Sequence, residues 1–431
     1  MATGLADMSQ VSGHNAVSGF SVPKLDLRTG WMRKIFLYRW LLLASCLTTP
    51  VWGQGSGWEI RQLTVDANEG IDLADFNRDG KMDVVAGRNW YAAPQFSPRP
   101  VRQIKDWNGY VESNGDFAMD VDLDGWTDVV AGSFLPSEVH WYRNPGANGL
   151  NLGLMWEQKL LVDTGDSRNE GQLMVDLDQD GQAEWLVNTW GKGAPMNVWK
   201  FVQASDLPDA DEKALGMKRV RINERGNSHG MGAGDLDGDG DVDILVGSGW
   251  YENPGPKDGE TILPNWSFHA DWEVHGSLPI LVRDWNGDQR PDIIIGNGHD
   301  YGLLLWEQLP PLEDGKTQWK KRVIDKDFSQ PHTLHLADLD GDGQPELITG
   351  KRVFAHNGKD PGGREPPCLF YYKWQPAQQR FDKRVIDRGT VGTGLQIRTG
   401  DLDQDGRTDI AVAGKSGTYL LFNRLPQETE K

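Results

Sequence analysis

Asp235-Leu-Asp-Gly-Asp-Gly-Asp-Val-Asp243-Ile-Leu-Val-Gly247 is the stretch that decides how this chain folds. Carboxylates at alternate positions form a tight turn, and a short apolar run stopped by glycine follows at once. The pattern D-x-[DN]-x-D-G-x-x-[DE] occurs seven times, from Asp75, Asp120, Asp176, Asp235, Asp284, Asp338 and Asp401. Positions 1, 3, 5 and 9 carry oxygen donors. They are Asp75, Asn77, Asp79 and Asp83; Asp120, Asp122, Asp124 and Asp128; Asp176, Asp178, Asp180 and Glu184; and Asp235, Asp237, Asp239 and Asp243. The last three copies supply Asp284, Asn286, Asp288 and Asp292; Asp338, Asp340, Asp342 and Glu346; and Asp401, Asp403, Asp405 and Asp409. Hard oxygens at this density suit Ca²⁺, which accepts six to eight at flexible geometry. Up to seven structural Ca²⁺ ions are therefore expected, with the fifth site weakest because Gln289 replaces the position-6 glycine.

An EF-hand loop would need a bidentate Glu at position 12. Position 12 here is Ala86, Ala131, Val187, Val246, Ile295, Thr349 and Val412, so every copy fails that test. Runs such as Asp83-Val-Val-Ala-Gly87 and Asp292-Ile-Ile-Ile-Gly296 read instead as buried strands. The loop is a strand-to-strand turn.

Successive loops start 45, 56, 59, 49, 54 and 63 residues apart, a period that fits four-stranded propeller blades. Each apolar strand is followed by an aromatic segment, such as Trp90-Tyr91 or Trp250-Tyr251, and then by a basic alternating strand. Trp58 to Val65 has the pattern of that basic strand but precedes the first loop. It is expected to complete the seventh blade after Tyr419–Phe422, leaving no open sheet edge. The predicted fold is all-β: a seven-bladed β-propeller, four strands per blade, closed by the N-terminal strand.

The repeated turn and apolar strand resemble the FG-GAP or VCBS repeats of integrin-α-like propellers, and the resemblance covers Trp58 to Leu425. Trp250-Tyr-Glu-Asn-Pro-Gly255 and Gly350-Lys-Arg-Val-Phe-Ala-His356 are more similar to the propeller domain of aldos-2-ulose dehydratase. That second resemblance implies a carbon–oxygen lyase acting on a sugar by dehydration or β-elimination.

Residues 1–53 read as an N-terminal extension plus signal peptide, and 54–431 as one propeller domain. Arg33, Lys34 and Arg39 precede an apolar run from Trp40 to Leu47, so the start is expected at Met32. Two processing routes are open: cleavage near Gly53, or acylation of Cys46 in a Leu43-Ala-Ser-Cys46 box. The run is too short to span a bilayer. The product is expected to be secreted, periplasmic or held at the cell envelope. Only Cys368 lies in the propeller segment, so disulfides do not stabilise it.

The 44 basic and 63 acidic residues give a net charge of −19, and 26 of the carboxylates sit at loop ligand positions. This is metal-binding charge, with no basic stripe left for nucleic acid. Nucleophile elbows, H-E-x-x-H and phosphate-binding glycine loops are missing from the sequence.

Any chemistry should sit where the innermost strands meet the central channel. Six residues before each loop stand Glu69, Asn114, Glu170, His229, Leu278, His332 and Leu395. Glu170, His229 and His332 are the candidate catalytic residues, as ligands of an additional divalent metal or as acid and base. Glu69, Asn114, His275, His335, Lys351 and Arg352 are candidates for holding a carbohydrate or other small ligand. The competing reading is a non-catalytic binding or adhesion propeller, in which these residues plug a polar channel.

Overall fold

The computed structural model describes residues 57–426, apart from 108, 190–192, 208–213, 227–228 and 314–315. The expected signal peptide, the Met32 start and Cys46 lie outside the described residues. No described helix is long and apolar enough to cross a membrane.

Seven four-stranded antiparallel sheets form a ring. The innermost strands are Asp72–Ala74, Gly115–Met119, Asn169–Val175, Met231–Gly234, Leu281–Arg283, Pro331–Ala337 and Ile397–Gly400. Those of neighbouring blades touch one another around the axis, with parallel bridges at Gly232–Ile280, Leu278–Thr333 and Arg352–Thr393. The seventh blade is completed by Trp58–Thr64, which pairs antiparallel with Gly417–Asn423 from Trp58–Asn423 to Thr64–Thr418. The propeller and its closure match the sequence expectation.

The second strand of each blade is apolar on both faces because both are covered by the adjacent blades. Ile293, Ile294 and Ile295 are fully buried, each contributing about 1.5–3 kcal/mol of transfer free energy. The core is divided into packets between blades. One of them joins Phe76, Val85 and Trp90 of the first blade to Val129 and Tyr142 of the second. Trp90, Tyr91, Trp250 and Tyr251 are all buried in such packets and pack blades together; they present no sugar-stacking face.

Each Asp/Gly loop links the first two strands of its blade. The position-1 carboxylate organises the turn: Asp235 accepts from Gly238 N and Gly240 N, and Asp284 from Gly287 N and Gln289 N. Position 6 has positive φ throughout, including Gln289 at 65°, a conformation glycine adopts without penalty. Position 4 is left-handed as well, with Arg78, Leu123, Gln179 and Gln404 there in four loops.

The position-9 carboxylate acts as a staple. Asp243 accepts from Leu236 N at 2.8 Å and from Asn253 N at 2.9 Å, tying the loop to the far end of the third strand. Asp83, Asp128, Asp292 and Asp409 make the same pair of bonds. Burial pushes Asp83, Asp128, Glu184, Asp243 and Glu346 up to about 7.

Several loops carry a counter-charge that the motif did not reveal. Lys200 faces Glu184 across the sheet; its Nζ contacts Asp178 and lies 2.8 Å from Asp180. Lys373 reaches Asp340 and Asp342 at 2.5 and 3.0 Å, and Arg143 reaches Asp122 and Asp124 at 2.5 and 3.1 Å. Arg424 pairs with Asp403 and Asp405. The charge at the loop positions is therefore partly balanced within the chain in these copies.

Candidate metal centre at the channel mouth

The residues six positions before the loops stand next to one another around the axis. Leu395 N donates to Glu69 O, Leu278 N to His332 O, and Asn114 Nδ2 to Glu170 O. At their centre lies Arg352, buried just past the end of the Glu346–Lys351 strand. Its Nε and Nη2 form a fork onto Glu69 Oε1 and Oε2 at 2.7 and 2.8 Å. Its Nη1 donates to Glu170 Oε1 and to His332 Nε2, the latter at 2.9 Å. Burial alone would raise both carboxyls, but Arg352 holds Glu69 at about 2 and Glu170 well below the usual carboxylate range.

Three imidazoles and one carboxylate converge beside this ion pair. His229 Nε2 is 2.7 Å from His299 Nε2, 3.3 Å from His332 Nε2 and 3.0 Å from Glu170 Oε2. The ring orientations are fixed from behind. His229 Nδ1 donates to Gly276 O at 2.9 Å, and His299 Nδ1 donates to Asp360 Oδ2 at 2.9 Å. Both Nε2 lone pairs therefore point inward, and two acceptors 2.7 Å apart repel unless a cation or proton lies between them. Burial and the neighbouring positive groups lower His299 to about 3 and His332 to about 4, so both rings are neutral at pH 7.

The donor set fits a transition metal. Ligand atoms in a tetrahedral site with bonds of about 2.0–2.1 Å stand roughly 3.3 Å apart, and the contacts of His229 Nε2, at 2.7, 3.0 and 3.3 Å, lie at or below that value. The Asp360 carboxylate accepts from His299 Nδ1, the kind of bond that orients metal-binding imidazoles from behind. Glycine makes the approach possible: a Cβ on Gly298 would meet His332 Cδ2 at 2.9 Å and His229 Cε1 at 3.1 Å. A cavity of about 900 Å³ opens over the cluster, bordered by His229, His275, His299, His356 and Asp360.

The structure brings together Glu69, Asn114, Glu170, His229, His332 and Arg352. His275 joins them, its ring 5.8 Å from His229. Lys351 is buried alongside, bonded to Ser329 Oγ and Gln330 Oε1, both at 2.8 Å. His335 stands apart, at the Asp/Gly-loop end of the channel, bonded to Thr399 Oγ1 at 2.9 Å. Cys368 is buried and its thiol pushed up to about 11, which suits packing rather than nucleophilic attack.

Sequence reasoning missed His299, His356 and Asp360. His299 lies on the link between the second and third strands of its blade, outside the strand entries. His356 Nδ1 bonds Asp360 Oδ1 at 3.0 Å, and its ring stacks on His299 at 4.4 Å. The turn that carries it is strained: Phe354, His356 and Asn357 all have positive φ.

Residues 284–349 match the family model described as FG-GAP-like repeat. The fold is a seven-bladed β-propeller that carries an FG-GAP-like repeat over those residues. No curated protein matches the chain. Among solved structures, the propeller is similar to BBS1N in complex with ARL6DN, soaked with lead: 11% identity, TM-score 0.46, covering 86% of this chain and 99% of that one. The mercury soak of that complex gives 11% identity and a TM-score of 0.40 over 85% and 96% of the two chains. The V. cholerae biofilm matrix protein Bap1 gives 14% and 0.31 over 77% of this chain and 41% of that one. Likenesses of this strength carry no argument about function.

Proposed function

We propose that this chain is an exported, calcium-stabilised propeller, with residues 1–53 as its leader and extension and 54–431 as one domain, that performs metal-dependent β-elimination or dehydration on a sugar. The observation that carries the reading is the convergence of Glu170, His229, His299 and His332 beneath a cavity large enough for a saccharide. Glu170 Oε2 and the Nε2 atoms of His229 and His299 would hold a divalent ion, and His332 would join them once its Nε2 gives up the hydrogen bond from Arg352. When bound, it supplies Lewis acidity toward a substrate carbonyl.

The chain's own groups handle the protons. His356 donates through Nδ1 to Asp360, which leaves Nε2 as its basic nitrogen at the cavity rim. It takes the proton α to the carbonyl; the carbon–carbon double bond forms as the β carbon–oxygen bond breaks. The leaving oxygen departs as water or alcohol after protonation by His275. Arg352 holds Glu170 ionised and in place, and Glu69 anchors Arg352.

The test is elemental analysis combined with product detection. One equivalent of a transition metal that His299→Ala removes, with growth of ultraviolet absorbance from an unsaturated sugar, is the expected result. Absence of both, with sugar binding retained, would return the propeller to a non-catalytic binding role.

A further inference from the structure

A two-stranded hairpin belongs to no blade. Asp106–Trp107 pairs with Tyr110–Val111 between the first and second blades, and it carries Trp107 and Tyr110 to the channel mouth. Their rings meet edge to face at 5.4 Å, and Trp107 also lies 6.3 Å from Phe134 at a shallow angle of 32°. Trp107 keeps 38% of its surface exposed, whereas the aromatic residues between blades are buried. These three rings border a cavity of about 150 Å³ beside Glu170 and Arg352, room for one six-membered ring.

Two polar groups in that cavity lack hydrogen-bond partners among the described residues. Asn114 Oδ1 is buried and accepts no hydrogen bond, although its Nδ2 is held by Glu170 O. Lys415 makes no ion pair; its Nζ rests 4.6 Å over the Tyr110 ring. Glu69 attracts Lys415 from a distance, but both Glu69 oxygens are taken by the Arg352 fork.

We infer that this cavity is a subsite for an acidic sugar ring, with the ring face on Trp107, the carboxylate on Lys415 Nζ and a hydroxyl donating to Asn114 Oδ1. The inference rests on the proposed sugar chemistry for its neighbour and names its substrate class: saccharides containing a uronic acid. Aromatic faces bind sugar C–H surfaces, and an unpaired half-buried ammonium favours an anion over a neutral group.

Calorimetric titration with glucuronic acid, glucose and glucuronamide tests it without requiring turnover. Glucuronic acid should bind about tenfold more tightly than either neutral sugar, the scale of one charge-assisted hydrogen bond. Lys415→Met should erase that preference and Lys415→Arg should keep it, while Trp107→Ala weakens all three sugars together; melting curves check that each variant is folded. Equal affinity for charged and neutral sugars, or a preference that survives Lys415→Met in a folded protein, overturns the subsite. Acid-selective binding without any product leaves the subsite standing and removes the lyase; product from sugars bound without acid selectivity does the reverse.

Discussion

The third and fourth Asp/Gly loops share the same carboxylate spacing and have opposite electrostatics. In the third, the residue across the sheet from Glu184 is Lys200, whose ammonium contacts Asp178 and Asp180 and holds Asp180 below its ordinary value. In the fourth, the residue across from Asp243 is Glu252, and burial with the charges of Asp239, Glu252 and Asp235 raises Asp237. No basic side chain bonds the fourth loop's carboxylates among the described residues. The motif therefore sets the turn, and one position on the third strand sets how much the turn needs a cation.

The strongest way to break this contrast is to remove calcium. Ligand binding at a hundredfold excess over Kd stabilises by about 2.7 kcal/mol per site, so a chelator should lower the melting temperature sharply. Bound calcium should number fewer than seven, because the second, third, sixth and seventh loops hold Arg143, Lys200, Lys373 and Arg424. An unchanged melt in excess EDTA contradicts the calcium reading, and seven tightly bound ions contradict the internal cations.

Next in size is Lys200→Met. It strands the buried Asp178 and Glu184 without a counter-charge, at a cost of about 3 kcal/mol in calcium-free buffer. Added calcium should restore most of that loss and should do little for the wild-type loop. Denaturant melts with and without calcium read both effects.

Loop strength should also differ between the fourth and fifth copies. Asp239→Ala should cost more than Asp288→Ala, since Asp288 already bonds Arg290 and its loop keeps Gln289 in a left-handed conformation. Gln289→Gly should stabilise, by roughly 0.5–1 kcal/mol, as the side-chain penalty at positive φ is lifted. Equal losses in the two alanine variants would remove the ranking.

The smallest effect is at His335, on an innermost strand and outside the loops themselves. Burial, then the charge of Arg398, lowers its pKa to about 4, against about 6.5 in the unfolded chain. Between those values the unfolded state binds more protons, so this contribution to stability is present above about pH 6.5 and is lost as pH falls toward 4. His335→Gln should flatten the stability profile in that window, as thermal melts across it would show.

What could be read beforehand follows from periodicity. Seven loops with a following Val/Ile run specify strand order, because each staple carboxylate fixes where the second strand begins. The converging Glu69, Glu170, His229 and His332 were legible for the same reason: they share one offset from a repeated landmark. His299, Asp360 and Trp107 share no such offset. They sit on links and an inserted hairpin whose lengths vary between blades, so only the three-dimensional path brings them to the axis. The glycines flanking Asn297 were the one local hint, since Gly298 lets that link pass within van der Waals reach of two imidazoles. Lys200 and Lys373 were hidden differently: they are single basic residues on the aromatic third strand, and only the register with Glu184 and Glu346 gives them a role.

The closure of the seventh blade has a consequence for how the chain is made. Trp58–Thr64 leaves the ribosome before any blade, yet its partner Gly417–Asn423 emerges only after all the others. Six sheets can form in order from local hairpins, but the circle stays open until that last strand arrives. During this interval the first strand must remain unpaired without seeding contacts between nascent chains, and its charged residues, Glu59 and Arg61, are the protection it carries.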